Sequence, residues 1–352
     1  MKKYFSLLLL CVSFNCGAFA QNNLTNKEDS ILKKIANANN VNTTCDAYLS
    51  IAKLYTAQNP VKETEYINKV IFTADQSRDR AIITDYCIKI VDQWNSFPTP
   101  ERRALALSAI EKGLKIGKEA QLNKNVAILL VRKAVTYRNE GNITEALKFN
   151  DEASSYAALS KSDSIIIFCE VSHANTLMQK DENLTAFKKY MHALNLAEIL
   201  KDDKLQSLIQ KRIGDFYVKV GQNEKAKDYY QKSLNTSFRL KDSTQELSIY
   251  QSLISLYLSE KDFASAREYL NILKQKEKVS SFYKQYTLSA ESSIISQEDL
   301  KKLPAFIRQN KELLQDYEKY GMQYELYRLK GVIFTVDKIY DSAYYYLQLS
   351  KT

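Results

Sequence analysis

The chain has 352 residues and 40.5 kDa but only 8 Gly and 4 Pro, about a quarter of the roughly 12 % that these two contribute to an average protein. That shortage excludes a long β-sandwich, with its many Gly and Pro turns, and the Gly-rich nucleotide sites; 45 % hydrophobic and 26 % charged residues point to a well-packed, all-α protein. The formal charge of +9 falls to +7 without Lys2 and Lys3, and the remaining basic residues alternate with acids, as in Lys201-Asp202-Asp203 and Glu224-Lys225. No basic arm or repeating basic face marks a nucleic-acid reader.

In chain order, the first element is a leader. Met1-Lys2-Lys3, an apolar run from Tyr4 to Val12 and Ala18-Phe19-Ala20 form a signal peptide over residues 1–20, with cleavage leaving Gln21 first. Cys11 after Leu8-Leu9-Leu10 and Cys16 after Ser13-Phe14-Asn15 are poor lipoprotein sites. No later segment approaches about 18 uncharged apolar residues, so no transmembrane helix is expected. The mature protein is expected in the periplasm or outside the cell, after a lead-in segment over residues 21–44.

From residue 45 onward the sequence keeps a beat. Ala106, Ala146, Ala186, Ala226 and Ala266 stand forty residues apart. Gly113, Ala153, Ala193 and Ser233 follow the first four by seven residues. Ala134, Ala174, Gly214 and Ile254 precede the last four by twelve, with Tyr137, Leu177, Tyr217 and Tyr257 three positions further on. Ala52 with Tyr55 and Gly331 with Phe334 extend the phase in both directions. Eight repeats are expected, starting near 45, 87, 127, 167, 207, 247, 286 and 324. The second is weak because Trp94 stands at a small-residue position, and the seventh because Ser293, Ser296 and Glu312 break the pattern.

Each unit reads as two helices. Ala226, Tyr229, Tyr230, Ser233 and Leu234 share one helical face. Gly141 and Gly221 suit helix C-termini that need positive φ. Asn59-Pro60 and Thr99-Pro100 read as an N-cap with the first helical residue, and Pro304 falls just inside a helix start. Small residues let neighbouring helices approach to about 8–10 Å, with Tyr or Phe filling the space beside them. One pair cannot bury its apolar face alone, whereas stacked pairs can.

The tract Gly214–Ser233, with Tyr217, Gly221, Ala226 and Tyr230, resembles a tetratricopeptide repeat (TPR). Ala134–Ala153 and the set Ala174, Ala186, Tyr190 and Ala193 resemble it too, strongly over 127–273 and weakly elsewhere in 45–352. The forty-residue unit is longer than the usual period of about 34. This long-period style is similar to exported TPR regions of bacterial signalling proteins. The resemblance implies a right-handed α–α superhelix of about eight pairs, whose concave groove, lined by first helices, binds proteins or peptides without catalysis. It places Arg138, Phe168, Val171, Asn175, Met178, Lys211, Asp215, Val218, Gln251 and Ser255 in the groove. The family's carboxylate clamp pairs Lys with Asn one turn apart; here Lys211 is followed by Asp215, so that clamp is not expected.

The remaining chemistry is sparse. The only histidines, His173 and His192, lack a third ligand at metal spacing and read as ordinary helical residues. No catalytic or nucleotide motif appears, and no cofactor is expected. Acidic pairs such as Asp202-Asp203 recur at repeat junctions, where they cap helix starts. Cys45 and Cys87 occupy equivalent places in adjacent repeats, about 8–10 Å apart on helix packing, too far for a disulfide. With Cys169 they are expected to be reduced and buried. The final stretch, Tyr344-Tyr345-Tyr346-Leu347, has no polar cap after it, which suggests self-association there or a longer natural chain. The expected function is partner binding by an exported sensor or scaffold of a signalling system. An envelope-assembly scaffold is the alternative, and an enzyme with an unrecognised site the less favoured one.

Overall fold

The computed structural model describes residues 25–36, 38, 40–56, 59–95, 100–279, 283–310 and 323–349. The leader with its cleavage site, Cys11, Cys16, Thr99 and Glu312 lie outside the described residues. Among the described residues all regular structure is helical, and none of these helices is long and apolar enough to cross a membrane.

The chain forms two compact units, one ending at Leu129 and the other running from Leu130. The first unit contains α1 (25–36), α2 (Val41–Tyr55), α3 (Pro60–Gln76), α4 (Arg80–Asn95) and α5 (Pro100–Glu119). The boundary falls inside α6 (Asn123–Asn139). The second unit continues with α7 (Ile143–Ser160), α8 (Asp163–Gln179), α9 (Asn183–Ile199), α10 (Asp203–Lys219), α11 (Asn223–Leu240), α12 (Ser243–Ser259) and α13 (Phe263–Val279). It is completed by α14 (Lys284–Glu298), α15 (Leu303–Gln309), α16 (Gln323–Val336) and α17 (Tyr340–Leu349).

Helices pack on their chain neighbours and, within each unit, first helix on first helix: α2 on α4, α10 on α12 and α12 on α14. Stacked pairs of this kind share one continuous core. The first helices begin at Val41, Arg80, Asn123, Asp163, Asp203, Ser243, Lys284 and Gln323, each ahead of the start read from the small-residue pattern. That pattern tracks where helices touch, whereas caps decide where they begin. The seventh pair departs most, its second helix α15 being only 7 residues long.

Ala106, Ala146, Ala186, Ala226 and Ala266 are all buried at the helix contacts. Glycine marks the closest approaches. A Cβ at Gly113 would lie 2.7 Å from Leu129 Cδ1, and one at Gly214 would lie 2.5 Å from Tyr230 Cε1. Trp94 is buried too, so the second repeat fills its contact with bulk instead of closing it.

The turns repeat twice as often as the helix contacts. Residues 121, 141, 161, 181, 201, 221, 241 and 261 all have left-handed φ, between 52° and 77°. Only Gly141 and Gly221 among them are glycines; the others are Gln121, Lys161, Asp181, Lys201, Lys241 and Lys261. All but Lys161 are held by a Schellman-type bond one residue later; after Lys161, Ser162 N–H donates to Ser160 Oγ instead. Asn142, Glu182, Gln222 and Asp262 donate their N–H groups to the carbonyls of Tyr137, Leu177, Tyr217 and Tyr257 at 2.8–3.0 Å. Asp202, Asp242 and Asp262 then cap the next helix, accepting from Leu205, Gln245 and Ser265 N–H at 3.0–3.1 Å.

Part of the lead-in segment is structural. Glu28 on α1 is buried and accepts from the hydroxyls of Tyr55 and Tyr66 and from Lys62 Nζ at 3.0 Å. Burial alone would raise its pKa; the two hydroxyls and the ammonium outweigh that and hold it below the usual glutamate value. Cys45, Cys87 and Cys169 are buried free thiols, and burial pushes their pKa values up to about 11, 11 and 12.

Candidate functional site

The exposed parts of the first helices in the second unit form the candidate face. Asp215 on α10 is its best-connected residue. Its Oδ1 accepts from the Tyr230 hydroxyl at 2.8 Å, and its Oδ2 accepts from Lys211 Nζ at 2.9 Å. Arg212 Nη1 adds an ion pair at 3.5 Å. Lys211 and Asp215 are one helical turn apart, so α10 itself presets the pair. Tyr230 reaches through from α11, and burial together with the Asp215 charge raises its pKa and keeps the phenol protonated as a donor.

Lys211, Asp215 and Val218 line a cleft of ≈ 350 Å³ with Gln251, Ser252 and Ser255 of α12. Gln251 and Ser255 also line a neighbouring cleft of ≈ 210 Å³, shared with Tyr286, Ser289 and Ser293 of α14. The two clefts make one strip across three successive first helices. Five of the ten residues named from the sequence therefore come together here: Lys211, Asp215, Val218, Gln251 and Ser255.

Upstream, Asn175 and Met178 on α8 meet through Tyr190 of α9. The Tyr190 hydroxyl donates to Asn175 Oδ1 at 2.6 Å and lies 3.2 Å from Met178 Sδ. Arg138 in the last turn of α6 acts on the same tyrosine electrostatically. Phe168 is half-buried, with the Arg132 guanidinium 5.0 Å above its ring. Val171 departs from its expected role: it is only 8 % exposed and packs in the apolar cluster of Ile167, Ala174 and Tyr190, so it serves the core and not the groove.

Sequence reasoning did not place Tyr190 and Tyr230 in the site, although both stand forty residues apart and in phase with Asn175 and Asp215. Tyrosines on second helices that reach first-helix polar groups are the signal that links core to face.

The strip offers paired charges, amides and hydroxyls beside apolar Val218 and Leu258, which suits an extended peptide backbone. The histidines do not converge on one site: His173 Nε2 lies 3.7 Å from Asp151 and His192 Nδ1 lies 3.9 Å from Glu170. Burial, then the Lys189 charge, lower the His173 pKa. Among the described residues no group of three His, Cys, Asp or Glu side chains is placed to hold a metal.

No protein-family model matches the sequence, and no curated protein matches it. Solved structures do match. The apo form of the quorum sensor NprR from B. thuringiensis is similar with a TM-score of 0.56 and 15 % identity, covering 94 % of this chain and 93 % of NprR. A Rap protein complexed with competence and sporulation factor is similar at 0.55 and 14 % identity, covering 94 % of this chain and 97 % of the Rap chain. The chain has a TPR-type fold. NprR in complex with its cognate peptide NprX shares that TPR-type fold at a TM-score of 0.53 and 15 % identity, covering 84 % of each chain.

Proposed function

We propose that this chain is an exported TPR-type binding protein that holds an extended peptide or protein segment along the α8–α10–α12–α14 face, as the sensing or scaffolding part of a bacterial signalling system. The observation that carries this reading is the strip shared by two clefts, where Lys211, Asp215, Gln251 and Ser255 stand together on successive first helices. One of the similar structures holds its cognate peptide and another holds competence and sporulation factor, which supports the same use of the fold here. Export rests on the leader over residues 1–20.

A photo-cross-linking residue at Gln251 tests the face against one at Glu268, which lines a separate cleft between α11 and α13. The partner is expected to cross-link from Gln251 and not from Glu268, and Lys211→Glu is expected to weaken its capture at least tenfold. Cross-linking from Glu268 alone, or capture unaffected by Lys211→Glu in a folded variant, overturns the assignment. An N-terminal sequence beginning at Gln21 in protein recovered from outside the cytoplasm tests export.

A further inference from the structure

A third cleft of the second unit, ≈ 520 Å³ in volume, shares no residue with the first-helix strip. Its walls come from second helices, with Leu234 and Phe238 on α11 and Tyr269 and Ile272 on α13. Tyr250 of α12 joins them, its ring 6.5 Å from that of Phe238 and 6.0 Å from that of Tyr269. Tyr250 is 1 % exposed, yet its hydroxyl has no hydrogen-bond partner among the described residues. Burial, then the Glu246 charge, raise its pKa, so the phenol stays a neutral donor. The two charged groups of the cleft differ in state. Glu268 and Lys276 both line it and stand eight residues apart on α13, about 12 Å along the helix axis. Lys276 is neutralised, its Nζ lying 2.5 Å from the buried Glu246 carboxylate and 5.2 Å above the Phe238 ring. Glu268 is exposed and has no cationic partner among the described residues, so its negative charge is the uncompensated one. Repetition does not account for this lining. Forty residues earlier, Glu198, Gln210 and Lys232 stand where Phe238, Tyr250 and Ile272 stand here.

The geometry points to a binding site for a small arylalkylamine, a monocation whose ammonium pairs with Glu268, whose ring packs among Phe238, Tyr269 and Ile272, and whose far end presents an oxygen to Tyr250. The site is independent of the peptide-binding face. An uncompensated carboxylate beside apolar walls selects a cation with an apolar body. Aromatic rings add to this by attracting cations, and the same rings already seat one ammonium, that of Lys276, 5.2 Å from Phe238 and 5.9 Å from Tyr250. A second ammonium at that end would meet a like charge, so the ligand's cation belongs at the Glu268 end. An anion gains little from Lys276, because Glu246 already holds its charge. The ligand's oxygen gives the Tyr250 hydroxyl the acceptor that the fold does not supply.

The test titrates the full protein with tyramine, 2-phenylethylamine and 4-hydroxyphenylacetate, read by ligand-observed NMR. Tyramine is expected to bind saturably. 2-Phenylethylamine, which lacks the oxygen, should bind about fivefold more weakly. 4-Hydroxyphenylacetate, with a carboxylate in place of the ammonium, should not bind. Glu268→Gln, at an exposed position, should weaken tyramine about tenfold. Tyr250→Phe should leave 2-phenylethylamine unchanged and bring tyramine down to its level, a loss of selectivity that a packing defect would not produce. Absence of tyramine binding overturns the site, as does binding of 4-hydroxyphenylacetate as tight as that of tyramine. Tyramine affinity unaffected by Glu268→Gln, or a preference for tyramine that survives Tyr250→Phe, overturns it equally.

Discussion

Gly214→Ala puts the link between the repeat scaffold and the binding face under direct test. Gly214 occupies the position that Ala134 and Ala174 hold in the two preceding repeats. Adding one methyl there looks conservative by that comparison, and in a helix interior Ala is favoured over Gly by ~1 kcal/mol. The local geometry opposes it. The new Cβ would stand 2.5 Å from Tyr230 Cε1 and 2.6 Å from Cδ1, far inside carbon contact distance. Tyr230 is 2 % exposed and its hydroxyl is tied to Asp215, so the ring has neither free volume nor a free end with which to retreat. Overpacking of this kind costs ~1–3 kcal/mol, and a ring fixed at both ends puts the cost near the top of that range. The net destabilisation is then about 2 kcal/mol, which corresponds to a fall in Tm of about 4–8 °C for a unit of this size.

Differential scanning calorimetry on Gly214→Ala, Tyr230→Phe and the double variant measures it. Removing the hydroxyl frees the ring from Asp215, so the alanine should cost about 1 kcal/mol less in the phenylalanine background, a coupling typical of touching residues. Gly221→Ala is the contrasting control. Its Cβ would meet nothing within 4 Å, and the penalty comes only from φ +74°. Gly221→Asn should be nearly neutral, since Asp181 and Lys261 hold the same turn forty residues away on either side. A Gly214→Ala Tm at or above that of the parent refutes the packing argument. An equal cost in both backgrounds refutes the role of the tethered ring.

Glu28→Gln should loosen α1 by about 1–3 kcal/mol at neutral pH, read as faster amide exchange over residues 25–36 with the rest of the first unit unchanged. Because the folded pKa of Glu28 is lowered, its contribution is full above the unfolded carboxylate value near ~4.3 and is lost as pH falls through the folded value; the glutamine variant should lack that dependence, and an identical acid response in both proteins would contradict it. Cys45, Cys87 and Cys169 should resist alkylation at pH 8 in the folded protein and each react once after denaturation without reductant, as peptide mapping will show; a pair that stays blocked would mean a disulfide.

The helix pairing was legible because contact points tolerate few side chains: Ala146, Ala186 and Ala226 announce themselves by composition alone. Lys161-Ser-Asp, Lys201-Asp-Asp and Lys241-Asp-Ser mark turns by their spacing, but the left-handed residue was legible at only two of eight places, Gly141 and Gly221. Lys201, Lys241 and Lys261 adopt the same φ without a glycine to announce it, since the Schellman bonds that hold them are made by the backbone. Depth within the face was not legible from phase. Val131, Val171, Lys211 and Gln251 share one repeat position, yet the valines are buried, Lys211 is mostly covered and Gln251 is exposed. Periodicity sets the direction a side chain leaves its helix; the neighbour it meets sets how far it sinks.

The positions that break the period are for the same reason the informative ones for recognition. Ala134, Ala174 and Gly214 stay small because the stacking of pairs admits nothing larger at those contacts. One turn further on, Arg138, Met178 and Val218 share a repeat position but differ in size and charge. Selection for stacking alone would favour apolar or solvated side chains there, and it gives no reason to keep an unpaired guanidinium at the first of them. The scaffold therefore resides in what repeats, and on the proposed reading ligand choice resides in the residues at equivalent positions that do not.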